Sequence, residues 1–592
     1  MDTFTKVIKL LDNKTRFYSV VMLIATLIGS IMELIGVAIV LPIINMAMED
    51  SEVTANIFAR TISRIFNTND KNEILILLIV ATIVIYIIKA IYMVALAVLQ
   101  YSFSMSIKRK LSVRIITSYL KKPYEFFLNT NSAELLRTVT TDTEQFYQVI
   151  LNVLMITSNF ITATAIGCYL IVTNLIMALS IICMLLVCVI VVLFVINKRF
   201  RDLGKQNQYL SGVINKILLQ VFNGAKEIKI MNIEDYFVKD YKKCFRKIEK
   251  TNTKYQIYNH IPKHLIETVC ITSILVYMGF NIAFSNNYLS LISQLAVFCV
   301  GAYKMLPSIS AIAAYMSTVM YYRASVDLIY DVITETENNE NNENNENDFN
   351  TNKSIESNEI VKFNDNIRGK NLYFKYTNSE DYVLNNVNIC IKKGQCVGFV
   401  GTSGGGKTTL VDVLLNLLEP TRGVVEIDGF NTRNNVRYIG QIVGYIPQVI
   451  YLIDDSIRKN VAFGVPEEEI DDEKVILSLK KAQIYEYVAQ LPNGVNTIVG
   501  ERGTRLSGGQ RQRIGIARAL YRDPEILVLD EATSALDNET EEEIMKSINL
   551  LKGEITIIMI AHRLSTIRNC DVVYEISNGT VSEKKVEDIC QN

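Results

Sequence analysis

Apolar residues crowd into six long runs within the first 320 positions: Phe17 to Met46, Ile74 to Phe103, Val149 to Val172, Leu175 to Ile196, Ile261 to Phe284 and Ile292 to Met320. Each reaches the ~20 residues that a helix needs to cross a ~30 Å hydrocarbon layer. No comparable run follows, which argues against buried helices of a large soluble protein and predicts six membrane helices. The connections after the second and fourth runs are about 45 and 65 residues long and keep helical apolar spacing, so the membrane helices should continue far beyond the bilayer. In the first of the opposing loops, Ile57, Phe58, Ile62, Ile65 and Phe66 recur at helical intervals. They predict a short amphipathic helix, either lying on the outer membrane surface or packed against the bundle.

After the sixth run the pattern changes twice. Glu335 to Asn358 includes ENNENNENNEND, a low-complexity polar tract that cannot bury a core and reads as a flexible acidic linker. Beyond it, short β-rich runs alternate with helical ones, the mark of an α/β domain. The expected organisation is a membrane domain over 1–334, a linker over 335–358 and an α/β domain over 359–592.

Composition agrees with a membrane class: 49% of the residues are hydrophobic and the mean hydropathy is +0.22. Sixty Lys and Arg against 61 Asp and Glu name no acidic or basic partner, but their distribution orients the chain. Lys108, Arg109, Lys110, Arg114, Lys121, Lys122 and Arg137 fill one long connection, and fourteen basic residues from Lys198 to Lys254 fill the other. The opposing loops hold Arg60, Arg64 and Lys71 in the first and none in the others. The excess of basic residues places both termini and both long connections on the cytoplasmic side. Met1 to Arg16 lacks the apolar core and cleavage site of a removable signal peptide, so the first membrane helix is expected to direct insertion. The ten cysteines are scattered without metal or disulfide spacing and read as small reduced hydrophobes, and three His offer little for a transition-metal site.

Chemistry concentrates in the last third. Gly401, Thr402, Ser403, Gly404, Gly405, Gly406, Lys407 and Thr408 match G-x-x-x-x-G-K-[ST], followed by Thr409 and a helix-like run, and preceded by the apolar run Val397 to Val400. In that strand-loop-helix setting the backbone N–H groups cradle phosphates, Lys407 reaches the β/γ oxygens and Thr408 offers a hydroxyl to Mg²⁺. ATP and Mg²⁺ are the implied cofactors. Ile526 to Leu529 form an apolar strand ending in Asp530 and Glu531, suited to hold Mg²⁺, largely through water, and to polarise an attacking water.

Between these motifs stands Leu506-Ser507-Gly508-Gly509-Gln510, and with it the chain resembles the ABC transporter family over its whole length. The resemblance implies a type IV exporter-like, six-helix all-α membrane domain joined to an α/β P-loop nucleotide-binding domain. It implies that Ser507, Gly508, Gly509 and Gln510 close on nucleotide held by a second copy. One chain carries one phosphate loop and one such signature, so a homodimer is expected. Position by position, Tyr376 matches the residue that stacks on adenine, and Gln448 the glutamine linking Mg²⁺ and water to the membrane domain. Ser534 to Asp537 match the loop crossing the dimer interface, and His562 the switch histidine that contacts the γ-phosphate and orients Glu531. Gly405 and Gly515 stand where the family commonly has serine and alanine. The coupling turns that engage the ATPase are expected at Ser132 to Asp142 and Gly224 to Ile233, opposite Gln448 to Ser456.

Cargo is approached through ionisable residues inside the apolar runs, which are costly and functional by default. Glu33, Lys89, Lys263, Glu267 and Lys304 qualify, with snorkelling or an internal Lys–Glu pair as the alternative. Glu33, Lys89, Lys263 and Lys304 resemble the cavity of bacterial flippases for lipid-linked oligosaccharides, with lysines where those carry arginines and Ala311 in place of a further one. The implied partners are membrane lipids and an amphipathic, polyprenyl-diphosphate-linked glycan, with no nucleic acid, in a bacterial inner membrane. Export of peptides, drugs or another lipid is the alternative.

Overall fold

In the computed structural model, residues 3–39, 43, 57–66, 70–173, 175–284, 288–349, 362–434, 436–532, 538–561 and 567–584 are described. The chain divides into two compact units, one comprising 1–122 and 129–351, the other 123–128 and 352–592.

The first unit is helical. Its elements are α1 (Thr3–Leu10), α2 (Asn13–Ala38), α3 (Ile57–Phe66) and α4 (Lys71–Leu120), then, after α5 (Tyr124–Asn129), whose residues up to Leu128 group with the second unit, α6 (Ser132–Arg137). A π-helical segment, Thr138–Asp142, leads into α7 (Thr143–Thr173), α8 (Leu175–Asn223) and α9 (Ala225–Met231). The unit ends with α10 (Glu234–Phe284), α11 (Tyr288–Tyr321) and α12 (Arg323–Phe349). The first predicted apolar run falls on α2 as far as Ala38, and the other five fall on long helices that follow it. Among the described residues, Asn13–Gly36, Lys71–Leu120 and Ser132–Val172 are long and apolar enough to cross a membrane. The amphipathic segment of the first loop is helical, with Ile65 and Phe66 exposed.

Away from the apolar runs, the long helices are tied by a buried polar knot. The Asp142 carboxylate, fully buried, accepts from Arg137 Nε at 3.1 Å, Gln208 Nε2 at 2.9 Å and Ser325 Oγ at 2.6 Å. Four elements therefore converge on one carboxylate: the turn of α6, the π-helical segment, α8 and α12. Removing one partner of a buried ion pair strands the other charge, which typically costs about 3–5 kcal/mol. Asp142→Ala is accordingly expected to lower the thermal midpoint of the detergent-solubilised protein, and a joint Arg137→Met/Asp142→Leu change to recover much of the loss. An unchanged midpoint in Asp142→Ala would show that the pair contributes nothing.

Two expectations need correction. The first 15 residues of the predicted flexible linker, Glu335 to Phe349, continue α12 as helix. The physical reason is its anchored start, with Val326, Ile329 and Ile333 buried, together with ion pairs from Lys122 to Glu335 (2.7 Å) and from Arg114 to Glu337. Glutamate is also a good helix former. The rest of the expected linker, up to 358, lies outside the described residues. The segment Pro123–Leu128, rather than Ser132 to Asp142, groups with the second unit, where Glu125 Oε1 accepts the Thr377 backbone N–H at 3.1 Å. Ser132–Arg137 instead buries Ala133 and Arg137 within the first unit. At the other expected tip, α9 lies between Gly224 and Asn232, whose left-handed backbone ends the helix, and Ile230 and Met231 are exposed.

The second unit has two sheets. An antiparallel sheet of order β2-β1-β4-β5 is built from β1 (Asn366–Phe374), β2 (Leu384–Lys392), β4 (Arg422–Ile427) and β5 (Phe430–Asn431). The other, of order β10-β9-β3-β8-β7-β6, contains β3 (Cys396–Gly401), β6 (Val443–Ile446), β7 (Ile526–Asp530), β8 (Thr556–Ile560), β9 (Val572–Ser577) and β10 (Thr580–Lys584). Its inner strands are parallel, and β7 and β8 are buried along their whole length, as strands covered on both faces must be. Ligands of such sheets bind beyond the carboxyl ends of the strands. The loops after β3 and β7 both leave from that edge.

Candidate ATPase site and membrane ion cluster

The phosphate loop follows β3 directly. Gly401 pairs with Ile576 of β9, and a Cβ at Gly401 (φ +141°) would collide with the Ile576 carbonyl, so only glycine permits this approach. Gly406 (φ +99°) turns the chain into α13 (Lys407–Leu414) and caps it without a side chain, leaving the first backbone N–H groups for an anionic ligand. Lys407 Nζ donates to the carbonyls of Gly401 and Thr402, each at 3.0 Å, at the mouth of the loop. Burial lowers its pKa against the opposing pull of Glu531 and Asp530.

The carboxylates lie at the end of β7, beside β6. The Asp530 carboxyl is raised above its ordinary pKa, first by burial, and its partners are the hydroxyls of Thr408 and of Tyr445, the latter donating at 3.1 Å. Gln448 Nε2 donates to Glu531 Oε2 at 2.7 Å. Glu531 has a left-handed backbone (φ +48°), a costly conformation that gathers at functional sites. Tyr376 lies on the approach from β1, its hydroxyl 3.0 Å from Thr409 Oγ1. Lys407, Thr408, Thr409, Tyr376, Gln448, Asp530 and Glu531 are thus brought to one place. No cluster of three His, Cys, Asp or Glu side chains able to hold a metal occurs among the described residues. The oxygen donors Thr408, Gln448 and Asp530 suit a hard cation whose remaining ligands come from phosphates and water.

Sequence reasoning missed Asp412 and Tyr445. Asp412 is buried four residues after Thr408, one helical turn along the same face, and burial, then the nearby Asp530 charge, pushes its carboxyl up to about 6. That spacing was the available signal. Tyr445, three residues before Gln448, carried none.

The signature segment forms the start of a separate helix, α14 (Gly508–Leu520). Ser507 Oγ accepts the Gln510 N–H at 3.2 Å and Gln510 Oε1 accepts the Ser507 N–H at 2.8 Å, a reciprocal cap that fixes the helix start. His562 and Ser534 to Asp537 lie outside the described residues.

In the helical unit, Lys89 and Lys304 converge on Glu33, Lys304 at 3.3 Å, and the Tyr86 ring lies 5.0 Å from Lys89 Nζ and 5.9 Å from Lys304 Nζ. Lys263 does not join them and is exposed on α10, as is Glu267. Glu33 and Lys304 line a cavity of about 430 Å³ with Met93, Gln100, Asn159 and Tyr303. Gln100 Nε2 is buried without a hydrogen-bond partner among the described residues.

A phosphate loop on a mainly parallel sheet, two carboxylates at the end of a neighbouring strand and a helical unit with membrane-crossing segments define a membrane-anchored P-loop ATPase. Two family patterns locate it further: residues 384–534 match "ABC transporter" and residues 51–302 match "ABC transporter transmembrane region". The chain belongs to the ABC transporter family, in half-size form with one membrane region and one nucleotide-binding domain. It is 33% identical over 395 residues to the ATP-dependent lipid A-core flippase of Francisella tularensis subsp. holarctica (strain OSU18), covering 66% of this chain. That match spans 62% of the relative's length. The protein of the same description in Pseudoalteromonas translucida (strain TAC 125) is 29% identical over 486 residues, 80% of each chain. In fold, the chain matches the solved structure of a bacterial Atm1-family ABC exporter with ATP bound (TM-score 0.78, 20% identity, 98% of this chain and 97% of that one).

Proposed function

We propose that two copies of this chain form an ATP-driven exporter of a bacterial inner membrane. It moves an amphipathic lipid, in the first instance a polyprenyl-diphosphate-linked glycan, from the cytoplasmic to the outer leaflet. Both termini and the ATPase domains face the cytoplasm. The observation that carries this reading is the convergence of Lys89 and Lys304 on Glu33, which with Lys304 lines a cavity among membrane helices, in a chain that also holds a complete phosphate loop and carboxylate pair. Relatives named as lipid A-core flippases support a lipid cargo.

In this mechanism Tyr376 stacks on the adenine, the N–H groups of 401–408 receive the phosphates, and Lys407 exchanges its two loop carbonyls for phosphate oxygens. Thr408, Gln448 and Asp530 would hold Mg²⁺, which supplies charge neutralisation at the phosphates. Glu531, oriented by Gln448, polarises the water. His562 is assigned the γ-phosphate contact that keeps Glu531 aligned. Ser507, Gly508, Gly509 and Gln510 of one copy close over nucleotide held by the other, and closure favours the outward-facing state. The Pro123–Leu128 and Gly224–Ile233 segments pass the movement to the membrane helices.

Lys89→Gln/Lys263→Gln/Lys304→Gln is expected to lower flipping of a fluorescent lipid-linked oligosaccharide in liposomes by roughly tenfold or more, the scale of lost charge-assisted hydrogen bonds. Basal ATP hydrolysis should be largely retained. Equal flipping by the variant would defeat the basic-cavity reading. No flipping by the unaltered protein would favour a peptide, a drug or another lipid.

A further inference from the structure

The helical unit holds a second cavity, of about 460 Å³, between α1, α2, α4 and α7. Its apolar wall includes Leu10, Leu111 and Phe146, and its rim carries Arg109, Lys110 and Arg114 against a single acid, Asp12. Lys110 Nζ is 3.2 Å from both Asp12 Oδ2 and Thr15 Oγ1, and Arg114 pairs with Glu337 and donates to the Leu10 carbonyl. Among the described residues Arg109 has no hydrogen bond or ion pair, although it is exposed on the rim. With the other charges paired, the cavity keeps one uncompensated guanidinium above an apolar floor.

Its depth is set by α2 and α4, two of the helices that line it. Arg109 lies six residues past Phe103, the end of the second apolar run, about 9 Å further along the helix axis. Thr15 lies two residues before Phe17, where the first run begins. Phe17, Tyr18 and Tyr101 are at least half exposed at this level, the position of an interfacial aromatic belt. The headgroup layer of a bilayer is roughly 5–8 Å thick on each side, so the rim stands at its outer boundary. Lys9, Lys14 and Arg16 add exposed positive charge nearby in sequence, with no carboxylate partner among the described residues.

We propose that this cavity binds the headgroup of an anionic phospholipid of the cytoplasmic leaflet, its phosphate on Arg109 and Lys110 and its glycerol against the apolar wall. The site is separate from the Glu33–Lys89–Lys304 cluster. It rests on the cytoplasmic placement of the N-terminus, not on the identity of the cargo. Basic pockets between membrane helices at the cytoplasmic surface have the chemistry to take such headgroups.

The test uses the full-length protein in phosphatidylcholine nanodiscs, which expose both leaflets, with a photoactivatable phosphatidylglycerol added at sub-saturating amounts. Adducts are expected on the peptides around Leu10–Phe17 and Met105–Ile116. A photoactivatable phosphatidylcholine with the same chains should label them weakly. Each basic residue near a membrane surface contributes roughly fivefold in affinity, so Arg109→Gln/Lys110→Gln should reduce labelling by about twenty-five-fold, and Arg109→Lys should largely preserve it. Equal labelling by the two lipids, unchanged labelling of the double variant, or equally effective displacement by millimolar inorganic phosphate would overturn the proposal. The comparison of the two lipids on the unaltered protein stands even if the double variant misfolds. Because no flipping is measured, failure of the cargo reading would leave the result intact.

Discussion

Glu531→Gln is expected to cut steady-state MgATP hydrolysis by roughly 100- to 10,000-fold, the range attached to a positioned acid–base group, while nucleotide binding survives. Glutamine keeps the size of the side chain and can still offer an oxygen to Gln448 Nε2, which donates to Glu531 at 2.7 Å. What it loses is the anionic oxygen proposed to polarise water. The phosphate loop is untouched: Lys407 starts α13 and the glycines lie at the end of β3 and in the loop between them, not on the strand that ends in the carboxylates. The variant should therefore accumulate as a nucleotide-bound dimer. Phosphate release and equilibrium binding of a fluorescent ATP analogue separate the two effects. Turnover near that of the unaltered protein would remove Glu531 from its role, and lost binding would mean that the carboxylate supports the loop.

Mixing two inactive variants should restore hydrolysis if each site is built from two chains. Lys407→Ala removes the ammonium proposed to hold the phosphates. Ser507→Arg destroys the reciprocal cap with Gln510 and thrusts a long cation into the surface that must close over nucleotide. Each homodimer then has two defective sites. A heterodimer has one site with both defects and one with neither, and half of randomly paired dimers are heterodimers. Activity in the co-expressed, doubly tagged heterodimer well above that of either parent is the expected result. No recovery in verified heterodimers, with a tandem unaltered control active, would sink the shared-site assignment unless both sites must fire together, which a heterodimer of unaltered and Lys407→Ala chains decides.

The strongest sequence signals were those in which local chemistry dictates geometry. A Gly401 that must approach another strand and a lysine at the start of a helix are readable because few residue types tolerate those positions. The capping pair Ser507 and Gln510 is legible for the same reason, since an N-cap and its third following residue form a local unit. Long-range pairing was less legible. Nothing in the spacing of Arg137, Asp142, Gln208 and Ser325 announces a common centre, because the four come from elements up to 188 positions apart that meet only on packing. Likewise Lys89, Lys263 and Lys304 looked equivalent as charges in apolar runs, yet helix rotation turns two toward Glu33 and leaves the third exposed. The Asn- and Glu-rich tract was misjudged through composition: a polar segment with no core of its own can still extend a helix whose first turns are buried.

The knot around Asp142 also has a mechanical meaning. The 49 residues of α8 make a rod roughly 74 Å long. Clamped to its neighbours at Gln208, it acts as a lever whose fulcrum lies nearer one end. From Gln208 to the start of the helix at Leu175 is roughly 50 Å, and to its other end at Asn223 roughly 22 Å, at about 1.5 Å per residue. A tilt of about 10° about that point moves the far tip by about 9 Å and the near one by about 4 Å. Small strokes at the short arm, beyond Gln208, are thus magnified about twofold at the apolar end of the same helix.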